Sequence, residues 1–269
     1  MPFTSGLELA GEVLETDPLS RFKKGDKVIG GNKTGAFAEV ASIDESSLSI
    51  LPESFNYYQG AALGAAYSTA FSGLIELGSL SKDQWVLVTG ASGGVASAAI
   101  DLCKALGAKV IAATNSVDKV ERIRNTHRPD FVILSKGRFR EKVREITDGK
   151  LCDIVFDPVG GDIFDECTRC VSFAGKLVIV GFASGRIAEI KTNIPLIKGF
   201  TIIGLRAGEY SRRFPDRGQA IKEKIAGLAS QGMINPAIDR IIPLSRWNEG
   251  FQAMKKRELV GKIVFDPTA

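Results

Sequence analysis

The sequence predicts an α/β protein in which a doubly wound parallel sheet is inserted between two pieces of a smaller, β-rich domain. Three observations predict it. Six compact apolar runs, WVLVTG, KVIAAT, DFVILS, CDIVFDPVG, KLVIVGF and FTIIGL, alternate with amphipathic stretches over residues 67–205, as parallel strands buried on both faces do. The front of the chain reads as short strands broken by Gly and Asp, namely LELAGEVLE, DKVIGG and AFAEVASI, which is the pattern of an antiparallel barrel. A Gly-rich turn follows the first long apolar run and opens a helix.

In chain order, residues 1–65 form the first β-rich piece and residues 66–207 the α/β unit. In the first helix, Val95, Ala99, Leu102 and Leu106 recur at three- and four-residue steps, one face of a 3.6-residue period. Gly107 follows as its stop. Residues 165–172 read as the end of a later helix. The return, residues 208–269, carries a helix around 219–230, a strand DRIIPL, a helix SRWNEGFQAMKK and a strand GKIVF.

Bulk properties exclude several function classes. Of 269 residues 44% are apolar, enough for a sizeable core, and the net charge of +4 (35 Lys and Arg against 31 Asp and Glu) is spread along the chain. A nucleic-acid partner is therefore not expected, and SRRFP reads as a solvated turn. No apolar run reaches the length of a membrane span. The N-terminal stretch has neither the form of a signal peptide nor that of a transit sequence. Four cysteines do not make a disulfide framework in a chain this long, so a reducing, cytoplasmic setting is expected, or a mitochondrial one if a longer form carries a transit peptide. Cys167 and Cys170 form a C-x-x-C without a second pair or a nearby His, and read as two separate thiols. The single histidine, His127 in RNTHRPD, is expected in an exposed loop, and one His excludes a His-rich metal centre. No metal is expected.

The turn Ala91-Ser92-Gly93-Gly94-Val95-Ala96 is an A-x-G-x-x-A variant of the dinucleotide fingerprint. Its first position shapes the turn, the second lets the backbone approach a pyrophosphate, and the third lets helix and strand pack closely. Gly93 keeps the approach position, so the amides of Ser92, Gly93, Gly94 and Val95 are expected to face a diphosphate from a helix N-terminus. An NAD site usually carries Asp or Glu at the end of the second strand. Here that strand ends in Thr114, Asn115 and Ser116, with Lys119 close by, a polar, cationic corner suited to a 2′-phosphate. NADPH is expected in preference to NADH. Asp118, in the next helical turn, is the residue that could restore an NAD-type acid.

At this point the residues match a family. GASGGVASAAIDLCKALGAKVIA, DIVFDPVGGDIFDECTRCVSFAGKLVIVGFASG and GKIVF resemble the quinone oxidoreductase (zeta-crystallin-like) branch of the medium-chain dehydrogenase/reductases. FKKGDKVIG and GAFAEV resemble that superfamily's GroES-like barrel domain. The similarity covers essentially the whole chain, and DPVGGD followed by GFASG is its most specific part. It implies a Rossmann sheet inserted in a GroES-like β-barrel, incomplete here because the family has a further stretch before PFTSG. Unpaired barrel edges would follow. Alcohol dehydrogenases of the superfamily hold zinc through a G-H-E motif. This chain reads Gly6-Leu7-Glu8, so the resemblance implies a zinc-independent enzyme.

By the same resemblance, Ser92, Gly93, Gly94 and Val95 would cradle the pyrophosphate, and Asn115, Ser116 and Lys119 would surround the adenosine phosphate. Val159 and Gly160 would flank the ribose, Gly181, Phe182 and Ala183 would border the nicotinamide, and Thr69 would lie near the cofactor. Two departures stand out: Ser135 replaces a Tyr that stacks by the adenine, and HRPD replaces L-G-A-D. The implied activity is hydride transfer from NADPH to a small-molecule acceptor, a quinone or an enone. The alternatives are a non-catalytic NADPH-binding protein and an enoyl thioester reductase. No general acid is named. Tyr67 is the one candidate, with packing as its other reading. A homodimer is implied, paired through FTIIGL.

Overall fold

The computed structural model describes residues 3–269. Near the front, β1 (Glu8–Glu12), β2 (Lys27–Gly31) and β3 (Leu48–Ile50) form an antiparallel sheet. The strand expected over AFAEVASI is absent, and β3 takes the third place instead. Three amides, those of Gly35, Ala36 and Phe37, bond back to residues 4–6. Gly6 and Gly35 have φ of +99° and +96°, so the backbone leaves the extended region on both sides and no ladder propagates.

The six apolar runs are β4 (Trp85–Val88), β5 (Lys109–Thr114), β6 (Phe131–Leu134), β7 (Cys152–Asp157), β8 (Val171–Ile179) and β9 (Thr201–Gly204). They pair in parallel in the order β6-β5-β4-β7-β8-β9, the doubly wound order that reverses beside the first strand. Both faces are dry. Leu87, Ile111, Ala113, Ile133, Val155 and Leu177 join one core cluster, while their neighbours Val86, Val88, Val110, Ala112, Phe156 and Val178 are fully buried as well. A period of two with both phases apolar is what a strand covered by helices on each side requires.

The helices are α1 (Tyr57–Phe71), α2 (Gly94–Ala105), α3 (Val120–His127), α4 (Arg140–Ile146), α5 (Gly161–Cys167), α6 (Asn193–Lys198), α7 (Ala207–Arg213), α8 (Pro215–Ser230) and α9 (Trp247–Lys255). A π-helical turn, Ser72–Leu77, extends α1. Asn56 and Gln59 exchange side-chain-to-amide bonds of 2.9 Å at the start of α1, a capping box. At the end of α2, Gly107 has φ +75°. Its amide bonds to Lys104, and that of Ala108 to Cys103, the paired closure of a Schellman motif. α8 starts earlier than expected, with Pro215 at its first position, where a missing N–H costs nothing. After it, β10 (Ile238–Pro243) and β11 (Lys262–Asp266) pair in parallel around α9.

Internal contacts divide the chain into residues 66–225 and a unit joining 1–65 to 226–269. The return point thus falls within α8, not at 208, because α7 and the first part of α8 pack with the α/β unit. Among the described residues no helix is long and apolar enough to cross a membrane.

His127 is not in an exposed loop. It closes α3, is 7% exposed, and lies 2.9 Å through Nε2 from the Ser97 hydroxyl on α2. Burial lowers its pKa from 6.5 to about 4. The unfolded chain then binds the proton first as pH falls. Stability contributed by the neutral ring is complete above about pH 6.5 and is lost on descending towards pH 4. His127→Gln is expected to remove about 2–3 kcal/mol of the acid-side loss between neutrality and about pH 4.5, read by urea melts. An unchanged acid limb would refute this.

Candidate functional site

Ligands of an open α/β sheet bind outside the carboxyl ends of the strands where the strand order reverses. That point lies between β4 and β7, so the loops after β4, β5, β7 and β8 form the candidate site, all within residues 66–225.

After β4, the Thr89 amide bonds to Phe156 O at 3.1 Å and the chain turns at Gly90, φ +60°. A Cβ on Gly90 would lie 2.8 Å from Val159 Cγ2. Gly90 therefore shapes the turn, a role expected of Ala91, which is fully buried with its amide on Ala113 O. The Gly93 amide donates to Gly90 O at 2.8 Å. It is thus removed from the expected donor set, and the donors without a partner inside α2 are those of Gly94, Val95 and Ala96. Ala96 is 1% exposed, close-packed as the third fingerprint position requires.

Gly93 itself caps α2 with φ −81° and ψ 154°, a conformation any residue adopts. An added Cβ would meet only Gly90 O, at 3.4 Å, an ordinary contact. The fold does not need glycine here, so the space beside it is available to a ligand. A diphosphate suits that space and the helix amides around it.

At the end of β5, Thr114 is buried, Asn115 and Asp118 are exposed, and Ser116 is half-buried. The Ser116 amide bonds to Thr114 Oγ1 at 3.3 Å. Lys119 closes a 3₁₀ turn and points its ammonium at the Ser92 hydroxyl, 3.3 Å away. The fold thereby joins Ser92 of the Gly-rich turn to Lys119 of the next loop, 27 residues on. The Ser135 amide bonds to Thr114 O, which brings the loop after β6 to the same corner.

After β7, Asp157 was not singled out in the sequence, yet it organises the loop. It is fully buried and accepts from the Thr89 hydroxyl at 2.5 Å, the Val159 amide at 3.0 Å and the Gly160 amide at 3.1 Å. Burial raises its pKa, and the bonds from Thr89, Val159 and Gly160 oppose that rise. A carboxylate closing the apolar run CDIVFD was the available signal. The loop after β8 is stitched to this one: the Ala183 amide bonds to Pro158 O and the Ser184 amide to Val159 O. A Cβ on Gly181 would approach Pro158 O to 3.3 Å, and Phe182 is 45% exposed. Val159, Gly160, Gly181, Phe182 and Ala183 are thus brought together. Thr69 sits half-buried in the last turn of α1, and no hydrogen bond links it to these loops among the described residues.

The quinone oxidoreductase-like protein 2 homolog of Nematostella vectensis is 33% identical over 99% of this chain and 74% of that protein. This chain belongs to the quinone oxidoreductase-like branch of the medium-chain dehydrogenase/reductases. A quinone oxidoreductase of Pseudomonas aeruginosa is 30% identical over 99% of this chain and 83% of its own length. The family profile described as zinc-binding dehydrogenase matches residues 94–223. The crystal structure of a probable oxidoreductase from Mycobacterium abscessus superposes with a TM-score of 0.90 at 30% identity, covering 99% of this chain and 81% of that one.

Gly6-Leu7-Glu8 carries no histidine. Glu8 is engaged with Lys262 Nζ at 2.6 Å and the Ala65 amide at 2.7 Å. Among the described residues no group of three or more His, Cys, Asp and Glu could hold a metal ion. Cys167 and Cys170 are fully buried, and α5 ends at Cys167, so the expected helix end over 165–172 gives way to β8 at Val171. Burial pushes the Cys170 thiol up to about 12. Tyr67 is 2% exposed and donates to Asp101 on α2 at 2.5 Å. Burial and the neighbouring carboxylate hold its proton far above neutral pH, and its hydroxyl ties α1 to α2.

Proposed function

We propose that this chain is an NADPH-dependent oxidoreductase that delivers hydride to a quinone or an α,β-unsaturated carbonyl without a metal. The observation that carries the reading is the Ser92–Lys119 bond, which sets a cation between the phosphate turn and a carboxylate-free strand end. Lys119, Ser92, Asn115 and Ser116 would hold the 2′-phosphate, with Asp118 turned to solvent. Gly94, Val95 and Ala96 amides would hold the diphosphate beside Gly93. Val159 and Gly160 would flank the ribose, and Gly181, Phe182 and Ala183 would border the nicotinamide near Thr69. Bound NADPH supplies the hydride; the protein orients the ring and keeps the loops rigid through Asp157. In this reading residues 66–225 are the nucleotide domain, and residues 1–65 with 226–269 the GroES-like catalytic domain.

Names of relatives support the acceptor class. Besides the quinone oxidoreductase, an acryloyl-coenzyme A reductase of Sulfurisphaera tokodaii is 32% identical over 87% of this chain, which keeps a short enoyl thioester as the second candidate acceptor. The test is side-by-side oxidation of NADPH and NADH over a panel of quinones, enones and one enoyl thioester. Faster NADPH oxidation with a quinone or enone is expected. Saturable NADPH binding without turnover would leave a cofactor-binding protein, and equal use of NADH would overturn the cofactor assignment.

A homodimer belongs to the same reading. β9 is an open sheet edge with Ile202 and Ile203 half-buried, and the adjoining α6 exposes Leu196 (81%) and Ile197 (73%). Pairing two such edges removes unpaired backbone and apolar surface. Gel filtration is expected to show a dimer at micromolar concentration, and a monomer peak would refute it.

A further inference from the structure

Asp157 is a buried carboxylate under the crevice, held by neutral donors. Its side chain is fully buried. Among the described residues its hydrogen-bond partners are one hydroxyl and two backbone amides, none of them a cation. Amides can only donate, so this donor set fits an ionised carboxylate, which can only accept. A buried anion bonded only to neutral donors projects its field strongly, because little water screens it. The positive end of α5, which begins at Gly161, tempers that field but carries only a partial charge.

The position of this charge matters. Asp157 ends β7 and bonds to Thr89 at the end of β4, so it spans the two strands at the reversal of strand order. The same carboxylate holds the amides of Val159 and Gly160, whose loop is bonded to Ala183 and Ser184. On the cofactor reading above, these loops border the ribose and the nicotinamide.

We infer that Asp157 makes the site discriminate between the two redox forms of the cofactor, favouring the positively charged nicotinamide of NADP+ over the neutral ring of NADPH. The inference rests on the proposed NADPH site. The two ligands share their phosphates, adenosine and riboses, so the ratio of their dissociation constants isolates the ring. Tighter holding of the oxidised form lowers the potential of the bound couple, and a tenfold ratio corresponds to about 30 mV for two electrons.

The test is calorimetric titration of the whole chain with NADP+ and, separately, with NADPH. Asp157→Asn is expected to raise Kd(NADP+)/Kd(NADPH) about tenfold. Asp157→Ser, a smaller neutral variant, should raise it likewise and serves where the asparagine variant does not fold. Asp157→Glu keeps the charge, and Thr89→Val removes only the hydroxyl, so both should leave the ratio within about threefold of wild type. A folded neutral variant in which both constants change equally, or neither changes, overturns the inference and reduces Asp157 to a loop tie. Failure of the wild-type chain to bind either nucleotide is a different result, and it removes the cofactor reading and this inference together.

Discussion

Replacing Lys119 by glutamate is expected to raise the NADPH dissociation constant about a hundredfold and to leave that of NADH within about threefold. The Lys119 ammonium stands 3.3 Å from the Ser92 hydroxyl, so a 2′-phosphate lodged there would meet a cation and a hydroxyl together. A charge-assisted bond to phosphate contributes about 1.5–3 kcal/mol, and a like charge in its place adds repulsion. Lys119→Ala should give a smaller loss in the same direction, since it removes attraction without adding repulsion. NADH lacks the phosphate and has little to lose. The measurement is titration of both nucleotides against wild type and the two variants. Equal weakening of NADPH and NADH, or an unchanged ranking, would overturn the assignment of this corner.

Gly93→Ala should separate binding from folding. The fold tolerates a Cβ at Gly93, whose φ is −81° and whose nearest atom would be 3.4 Å away. Its melting is therefore expected to change by less than about 0.5 kcal/mol. A methyl in the approach path of a diphosphate is an overpacked contact costing about 2 kcal/mol, or roughly thirtyfold in affinity for NADPH and NADH alike. Gly90→Ala should show the reverse order of effects. There φ is +60° and the added atom would sit 2.8 Å from Val159, so a loss of about 2–4 kcal/mol of stability is expected from backbone strain and overpacking. Denaturant melts and cofactor titrations on both variants read the contrast. A Gly93→Ala protein that binds normally would remove the phosphate turn from the site.

The central sheet was legible because its strands are buried on both faces. Val86 to Val88, Val110 to Ala113 and Ile154 to Phe156 need apolar residues at every position, and such runs stand out from the amphipathic helices between them. The return helix, β10, α9 and β11 were legible from periodicity in the same way. AFAEVASI misled because alternation describes side chains, while a strand also needs a backbone partner in register, and two glycines at positive φ deny it one. His127 misled because its sequence neighbours are polar. Its ring is buried and meets Ser97, thirty residues earlier, on another helix.

In the candidate site, the residue types were readable and their connections were not. The fingerprint, the missing acid after β5 and the cation at 119 are local facts, since each lies within one loop. Which amides remain as donors, which glycine bears the turn, and that Asp157 binds Thr89 and the loop it precedes are decided by hydrogen bonds between segments far apart in the chain. The sequence by itself determined that a parallel sheet would form and that a Gly-rich turn would open its first helix, because burial and chain geometry act over a few residues. Only the tertiary structure decided how the loops at the sheet's end share their donors and charges, because a buried polar group takes whichever partner the packing brings within reach.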